Sequence, residues 1–408
     1  MVHLSSSSLP VSLAIELQKD WPYRTQLILQ PPSSLWPKPR FHPFPTVKLH
    51  SLLDDEHWET AVARLDMTLI VAGAPNREET IHTLIEFIQR NYLPPSVRTS
   101  SLPAEPRNKR TKFTHDSPSE EHQLLLAPNP ILSFDHAPSL SAYLNKYSQT
   151  PFIVRSHLIE TGWPAICEQD STWKDKTYLV KAVGRGRIVP VEIGGEYTSE
   201  GWGQGMVPFE QFLDRVGWGS CAAWSERYES DQEASKEPAL YLAQHSLLNQ
   251  FPVLRKDILL PDYVFSGPEE DVPKGYKPPS NEEALVINVW VGGNGRSSPS
   301  HTDPFYNCYA QVVGQKRIFL TPPTQSDAMY PFSSSTSSAL SDSSSTESTS
   351  FTAHLLSNTS QVPIFTPDNR PPDRDTYPKF YSDALGCSLE GVLNEGDMLV
   401  MPFVLKSL

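Results

Sequence analysis

The chain has 408 residues, room for two or three domains and ample core for one of about 250. A formal net charge of −13 argues against binding along a phosphate backbone, so no direct nucleic-acid partner is expected, while a basic peptide or protein would be tolerated. Hydrophobic content of 38% with 9 Trp, 15 Tyr and 17 Phe suits a globular enzyme, and 39 prolines imply long irregular connections.

No apolar run approaches the ~18 residues that a membrane span needs. The N-terminus lacks a basic segment, and Glu16 interrupts its single apolar stretch, so no signal peptide is expected. Cys167, Cys221, Cys308 and Cys387 show no C-x2-C spacing, which implies no zinc site. Free thiols suit a reducing compartment, and a nuclear and/or cytoplasmic location is expected.

Residues 1–93 read as a partly helical N-terminal region. Six prolines between Pro31 and Pro45 exclude long helices there. From Asp54 the period becomes helical, with Trp58, Val62, Leu65 and Leu69 on one face; Gly73 and Pro75 end that helix. Asn76 and Glu79 form a candidate capping pair for a second helix striped by Ile81, Leu84, Ile85 and Ile88. These stripes are expected to serve as core or to pack on the main domain. Residues 94–128 read as a disordered linker. Its cluster Arg107, Lys109, Arg110 and Lys112 reads either as a solvated linker or as a nuclear-import signal.

The main domain is expected over 129–408. A short helix is predicted at 140–147 and a strand at 152–154. Gly184-Arg185-Gly186-Arg187 resembles a phosphate loop, but a strand follows it, whereas such a loop must open a helix. Residues 332–350 are almost wholly Ser and Thr and cannot bury enough apolar surface to order themselves. A disordered insertion between strands is expected there.

The stretch 285–320 carries the chemistry. A β-branched run at 285–291 leads into the glycine turn of Gly292, Gly293 and Gly295, and then into His301-Thr302-Asp303. Residues 307–313 read as a second strand, Gly314-Gln315 as a two-residue hairpin turn, and 316–320 as a third strand. In extended chain, residues two apart share a face, so His301 and Asp303 can present an imidazole and a carboxylate to one point. With a distant histidine, such a pair forms the 2-His-1-carboxylate triad that leaves three positions open on Fe(II). Lys316 could aim an ammonium into the same cavity and pair with an acidic co-substrate. The bland alternative is a surface histidine beside an aspartate.

The segment resembles the metal-binding core of JmjC-domain oxygenases, in particular the short branch described both as lysine demethylases and as protein arginyl hydroxylases. Tyr241-Leu242-Ala243-Gln244-His245, the run IVPVEIG at 188–194 and the run HLLSNTSQV at 354–362 resemble further motifs of that branch, in the same order. Trp163-Pro164-Ala165 is similar to a turn of the same family. The resemblance covers roughly residue 130 onward. It implies a mainly β fold with α, a double-stranded β-helix (a cupin or jelly-roll barrel) preceded by a helical region. It also implies Fe(II) held by His301 and Asp303, with 2-oxoglutarate as co-substrate. Lys316 would pair with the distal carboxylate. Tyr241, Ser298 and Asn307 would supply the polar lining, and Trp290 would wall the cavity. The implied substrate is a protein or peptide side chain, of a histone or another basic protein, that is hydroxylated or demethylated.

One departure stands out. The family delivers a second iron-binding histidine a few residues after a Met-Pro pair in a hairpin, read here over 390–403. Aligned without gaps, Ser407 falls at that position. Three readings follow: a domain that is C-terminally incomplete in this sequence, a catalytically inactive relative that keeps the fold for binding, or an active enzyme with an unusual third ligand.

Overall fold

The computed structural model describes residues 57–93, 126–194, 202–218, 238–266, 285–293, 296–302, 306–332, 358–366, 370–401 and, as backbone, 406–407. The 1–50 region, the basic cluster, the Ser/Thr tract, Cys221, His354 and Asp303 lie outside them.

The N-terminal unit is a helical hairpin. Helix α1 (Trp58–Ala72) ends at Gly73, whose left-handed conformation (φ 61°) lets its N–H reach the Leu69 carbonyl. Helix α2 (Glu78–Tyr92) buries Ile81, Leu84, Ile85 and Ile88, the predicted stripe. The capping expectation fails. Asn76 is itself left-handed (φ 63°), the N-cap is Arg77, and no side chain caps the helix. The acidic first turn, Glu78 and Glu79, favours the start through the helix dipole instead.

The hairpin docks on the barrel through buried charge. Asp66 and Arg187 are both buried. The guanidinium gives Asp66 bonds at 2.7–3.0 Å, and the Ile188 amide adds another at 3.0 Å. A further N–H of Arg187 bonds the Gln250 carbonyl at 2.7 Å, and the guanidinium lies 4.5 Å over the Phe251 ring. Gln89 of α2 reaches the Val183 and Arg185 carbonyls. The glycines at 184 and 186 therefore serve packing of the hairpin. Helix α3 (Lys176–Val183) precedes them and a strand follows, as expected.

The main unit is a set of mixed sheets. One joins β1 (Asn129–Pro130), β11 (Leu389–Leu393) and β10 (Lys316–Leu320). A second joins β2 (Leu132–Phe134), β3 (Phe152–Val154), β12 (Met398–Met401) and β9 (Asn307–Ala310). A third has the order β5 (Gly203–Pro208), β4 (Ile188–Ile193), β6 (Leu240–His245) and β7 (Val289–Gly292). The short strands β8 (His301–Thr302) and β13 (Lys406–Ser407) pair with each other. Helix α4 (Phe209–Arg215) packs its Phe209, Phe212 and Leu213 into the large core on the outer sheet faces.

Two predicted hairpins are absent. Strand β9 pairs with β12, whereas β10 pairs with β11. Gly314-Gln315 thus carries the chain from one sheet to another, and Glu395-Gly396 does the same between β11 and β12. These crossovers bond to each other: the Gly396 amide to the Gln311 carbonyl (2.8 Å), the Gln311 amide to the Asp397 carbonyl (3.0 Å) and Gln315 Nε2 to Asn394 Oδ1 (2.8 Å). Asp397, buried, holds the second turn by accepting from Arg155 (2.6 Å) and from the Ser156 and Asn394 amides. Gly396 (φ 92°) presses on Ile159, where a Cβ would fall 2.9 Å from a side-chain methyl. Strand β7 also begins later than the apolar run, at Val289.

The crossing encloses an interior. Ile153, Ile318, Leu320, Leu393, Leu399 and Met401 form an apolar cluster contributed by both sheets. The opposite faces, Phe152, Val154, Met398 and Val400 together with Val189, Val191, Leu240 and Leu242, pack into the outer core.

Asp66→Ala is expected to lower the unfolding free energy by about 3–5 kcal/mol, because it strands a buried guanidinium. Replacing both partners, Asp66→Leu with Arg187→Met, should recover most of that loss. Denaturant titration of the single and double variants checks this ordering.

Candidate active site

Side-chain alternation assembles the lining. Lys316 shares its strand face with Ile318 and Leu320, so it points to the interior. Its ammonium lies 5.9 Å from the Tyr309 ring centroid. Among the described residues no acidic side chain pairs with it, and burial alone lowers its pKa from the usual lysine value. A buried cation with only an aromatic face beside it is costly unless a ligand brings the counter-charge.

Tyr309 gathers the predicted residues. It stacks obliquely on Trp290 at 6.0 Å, feels the field of Tyr241, and lies two residues beyond Asn307 on the same strand face. Trp290 is 38% exposed, so it stands at the mouth as a wall. The Tyr241 hydroxyl hydrogen-bonds with Ser298, and burial pushes its pKa up to about 12, so it stays a protonated donor at neutral pH. Gly292 faces Tyr241 across the sheet; a Cβ there would sit 2.7 Å from the phenol ring, so only glycine admits this approach.

His301 stands three residues beyond Ser298. Its Nδ1 donates to the Pro299 carbonyl at 2.9 Å, which fixes the tautomer and makes Nε2 the acceptor nitrogen. The Nε2 lone pair is thereby left as the nitrogen that a metal ion could use. Strand pairing sets position 407 directly opposite His301. Among the described residues no three His, Cys, Asp or Glu side chains converge as a metal cluster. His245 is engaged by Gln250 at 2.6 Å.

Comparison with known proteins decides the family. A model of the Cupin-like domain matches residues 144–404. "Lysine-specific demethylase 8" of Danio rerio is 30% identical over 346 residues, covering 84% of this chain and 70% of that protein. The chain belongs to the JmjC oxygenases of the cupin-like family. "Lysine-specific demethylase JMJ30" of Arabidopsis thaliana is 33% identical over 267 residues (65% of this chain, 48% of that one). "Jumonji C domain-containing protein 5" of Drosophila melanogaster is 32% identical over 245 residues (59% and 47%). The chain thus spans about half the length of these last two relatives.

The JmjC lining includes residues that the sequence reading passed over. Tyr309 was findable, since period two puts it on the face of Asn307. Arg296 and Glu192 were not, because nothing local marks either as inward. A cavity of about 270 Å³ lies beside the site, lined by Ser298, Pro299, Phe332, Val362 and Tyr377 among others, and neither Lys316 nor Tyr241 takes part in it.

Lys316→Met should stabilise the fold by on the order of 1 kcal/mol, because it removes a buried charge that has no acidic partner among the described residues. The sign follows from the lowered pKa. The unfolded chain binds the proton more tightly, so stability rises with pH between the lowered pKa and the ordinary 10.5, and this variant loses that rise. Thermal unfolding of the two proteins across that pH range checks both statements.

Proposed function

We propose that the chain is an Fe(II)- and 2-oxoglutarate-dependent oxygenase that hydroxylates a protein or peptide side chain, either as a stable hydroxylation or as the first step of N-demethylation. The observation that carries this reading is the Lys316 ammonium, buried in the barrel without a counter-charge among the described residues and set over Tyr309, whose ring lies in the field of the Ser298-bonded Tyr241. A dicarboxylate fits that need, because one carboxylate can accept from Lys316 while Tyr241 donates to an oxygen nearby.

His301 would hold the metal through Nε2, and Asp303 would supply a carboxylate. With 2-oxoglutarate bound, the metal supplies oxidative decarboxylation coupled to insertion of oxygen into a C–H bond. Lys316 and Tyr241 orient the co-substrate, Ser298 holds the Tyr241 hydroxyl, and Trp290 with Tyr309 keeps water from the reacting face. At position 407 a serine stands opposite His301, and a hydroxyl is a weaker Fe(II) donor than an imidazole. A binding role without turnover is the second reading, and this position favours it.

A nuclear and/or cytoplasmic site of action belongs to the same proposal. The cysteine pattern supports it, as does the basic cluster at residues 107–112. A basic protein such as a histone suits the chain's acidic charge. The demethylase names of the relatives point the same way.

Calorimetric titration with 2-oxoglutarate tests the reading. Lys316→Ala should weaken binding at least about tenfold, and His301→Ala should remove its dependence on Fe(II). Ser407→His should tighten Fe(II) and raise succinate release. Succinate formed at an equal rate by wild type and His301→Ala would refute the assignment of the iron site.

A further inference from the structure

The strand that carries His301 has a neighbour on each side. Position 407 lies opposite His301 on one side, and Thr359 pairs with it on the other. The second neighbour, residues 358–361, is threaded between β8 and residues 330–332. The Ser360 amide donates to the Ser300 carbonyl at 2.7 Å, the Phe332 amide to the Thr359 carbonyl at 3.0 Å and the Gln361 amide to the Tyr330 carbonyl at 3.0 Å. Thr359 and Ser360 are buried, and Val362 and Ile364 just beyond them join the apolar cluster of Phe319, Met329 and Phe380. This segment is therefore a fixed support for the strand of His301.

Asn358 opens the segment, and its contacts converge on one residue. Its carbonyl accepts from the Thr302 amide at 3.1 Å, and its side-chain Nδ2 donates to the Thr302 carbonyl at 3.1 Å. Its Oδ1 accepts from the Thr359 hydroxyl at 3.3 Å, so both ends of the side-chain amide are engaged. Thr302 is the residue between the two proposed metal ligands. Its N–H belongs to the peptide plane shared with His301, and its C=O to the plane through which the chain passes to Asp303. A peptide plane has almost no internal freedom, so holding one group in each plane constrains the direction in which the side chains leave at either end. Asn358 holds both planes at once. It is itself exposed, so its side chain fills no core space. An exposed hydrogen bond adds little net stability, which leaves orientation as what this one supplies.

We infer that Asn358 is a positioning residue of the metal centre, holding Thr302 so that His301 and Asp303 present imidazole and carboxylate to one point before a metal ion arrives. The inference rests on the proposed iron site. Groups that orient metal ligands from behind are worth tenfold or more in metal affinity, because the bound geometry is then already in place.

Co(II) alone, titrated into the full chain and followed by its visible absorption, tests the assignment. Gln361→Ala is the structural control, because Gln361 Nε2 also bonds a backbone carbonyl, that of Pro331 at 3.3 Å, and not one of β8. Asn358→Ala should bind Co(II) about tenfold more weakly and with a changed absorption band, and should speed amide exchange at Thr302 in the metal-free chain. Asn358→Ser, too short to reach the Thr302 carbonyl, should repeat the loss. Gln361→Ala should bind Co(II) as wild type does, and all three variants should unfold close to the wild-type temperature. Equal Co(II) affinity in Asn358→Ala and wild type overturns the inference. So does an equal loss in Asn358→Ala and Gln361→Ala, which would make the bond one structural support among others. Failure of the iron-site reading looks different: neither wild type nor Ser407→His takes up Co(II), and the positioning role falls with it.

Discussion

The structure depends on two crossovers that hold each other. The turns after β9 and after β11 each take the chain from one sheet to another, and their backbones bond at Gln311, Gly396 and Asp397. Because both cross at one place, β10 and β11 pair in one sheet while β9 and β12 pair in another. A pair of hairpins would instead have left each two-stranded ribbon to find its own partners. The buried Asp397 carboxylate, fed by Arg155 and two amides, is the polar anchor of this arrangement. It satisfies donors that a tight inter-sheet turn would otherwise strand.

The functional lining follows from that crossing. Lys316 opens β10 and Tyr309 lies near the end of β9, on the two sides of the first crossover. Their approach across the barrel is a product of the turn between them. The apolar layer of Ile153, Ile318, Leu399 and Met401 fills the interior and leaves Lys316, Tyr309, Tyr241 and Trp290 as a polar and aromatic layer. Low polarity below and partial enclosure above raise the energetic stakes of every charge there. The ammonium, which pairs with no acidic side chain among the described residues, costs stability, and under the proposed function that cost would become affinity for a carboxylate. The helical hairpin contributes at a distance. Its Asp66 engages Arg187 at the start of β4, the strand that presents Glu192 to the mouth.

Sequence reading located the elements well and their partners less well. The stripes of α1 and α2 and the short strand at 152–154 formed where the period put them, and the runs IVPVEIG and Tyr241–His245, singled out by resemblance, lie on β4 and β6. Asn76 did not cap α2, because its left-handed backbone sits one residue too early. Glycine-containing two-residue turns between β-branched runs favour hairpins locally, yet Gly314 and Gly396 serve inter-sheet crossings. A turn residue specifies the backbone angle it permits, and the strand it delivers is chosen by all the surfaces waiting to be covered.

By itself, then, the sequence determined a JmjC-type barrel, and it marked His301, Lys316, Tyr241 and Ser298 as the positions proposed to carry its chemistry. Those motifs are local, and the spacing of residues within a strand survives whatever the strand pairs with. It also exposed Ser407 at the position of an expected histidine. Only the tertiary structure decided that position 407 lies opposite His301, that Tyr309 ties Lys316 to Trp290, and that Arg296 stands beside Glu192. Glu192 and Arg296 are 104 residues apart in the chain (296 minus 192). No local pattern records such a meeting, because it is created by strand register and by the enclosure of charge, and both exist only once the sheets have closed.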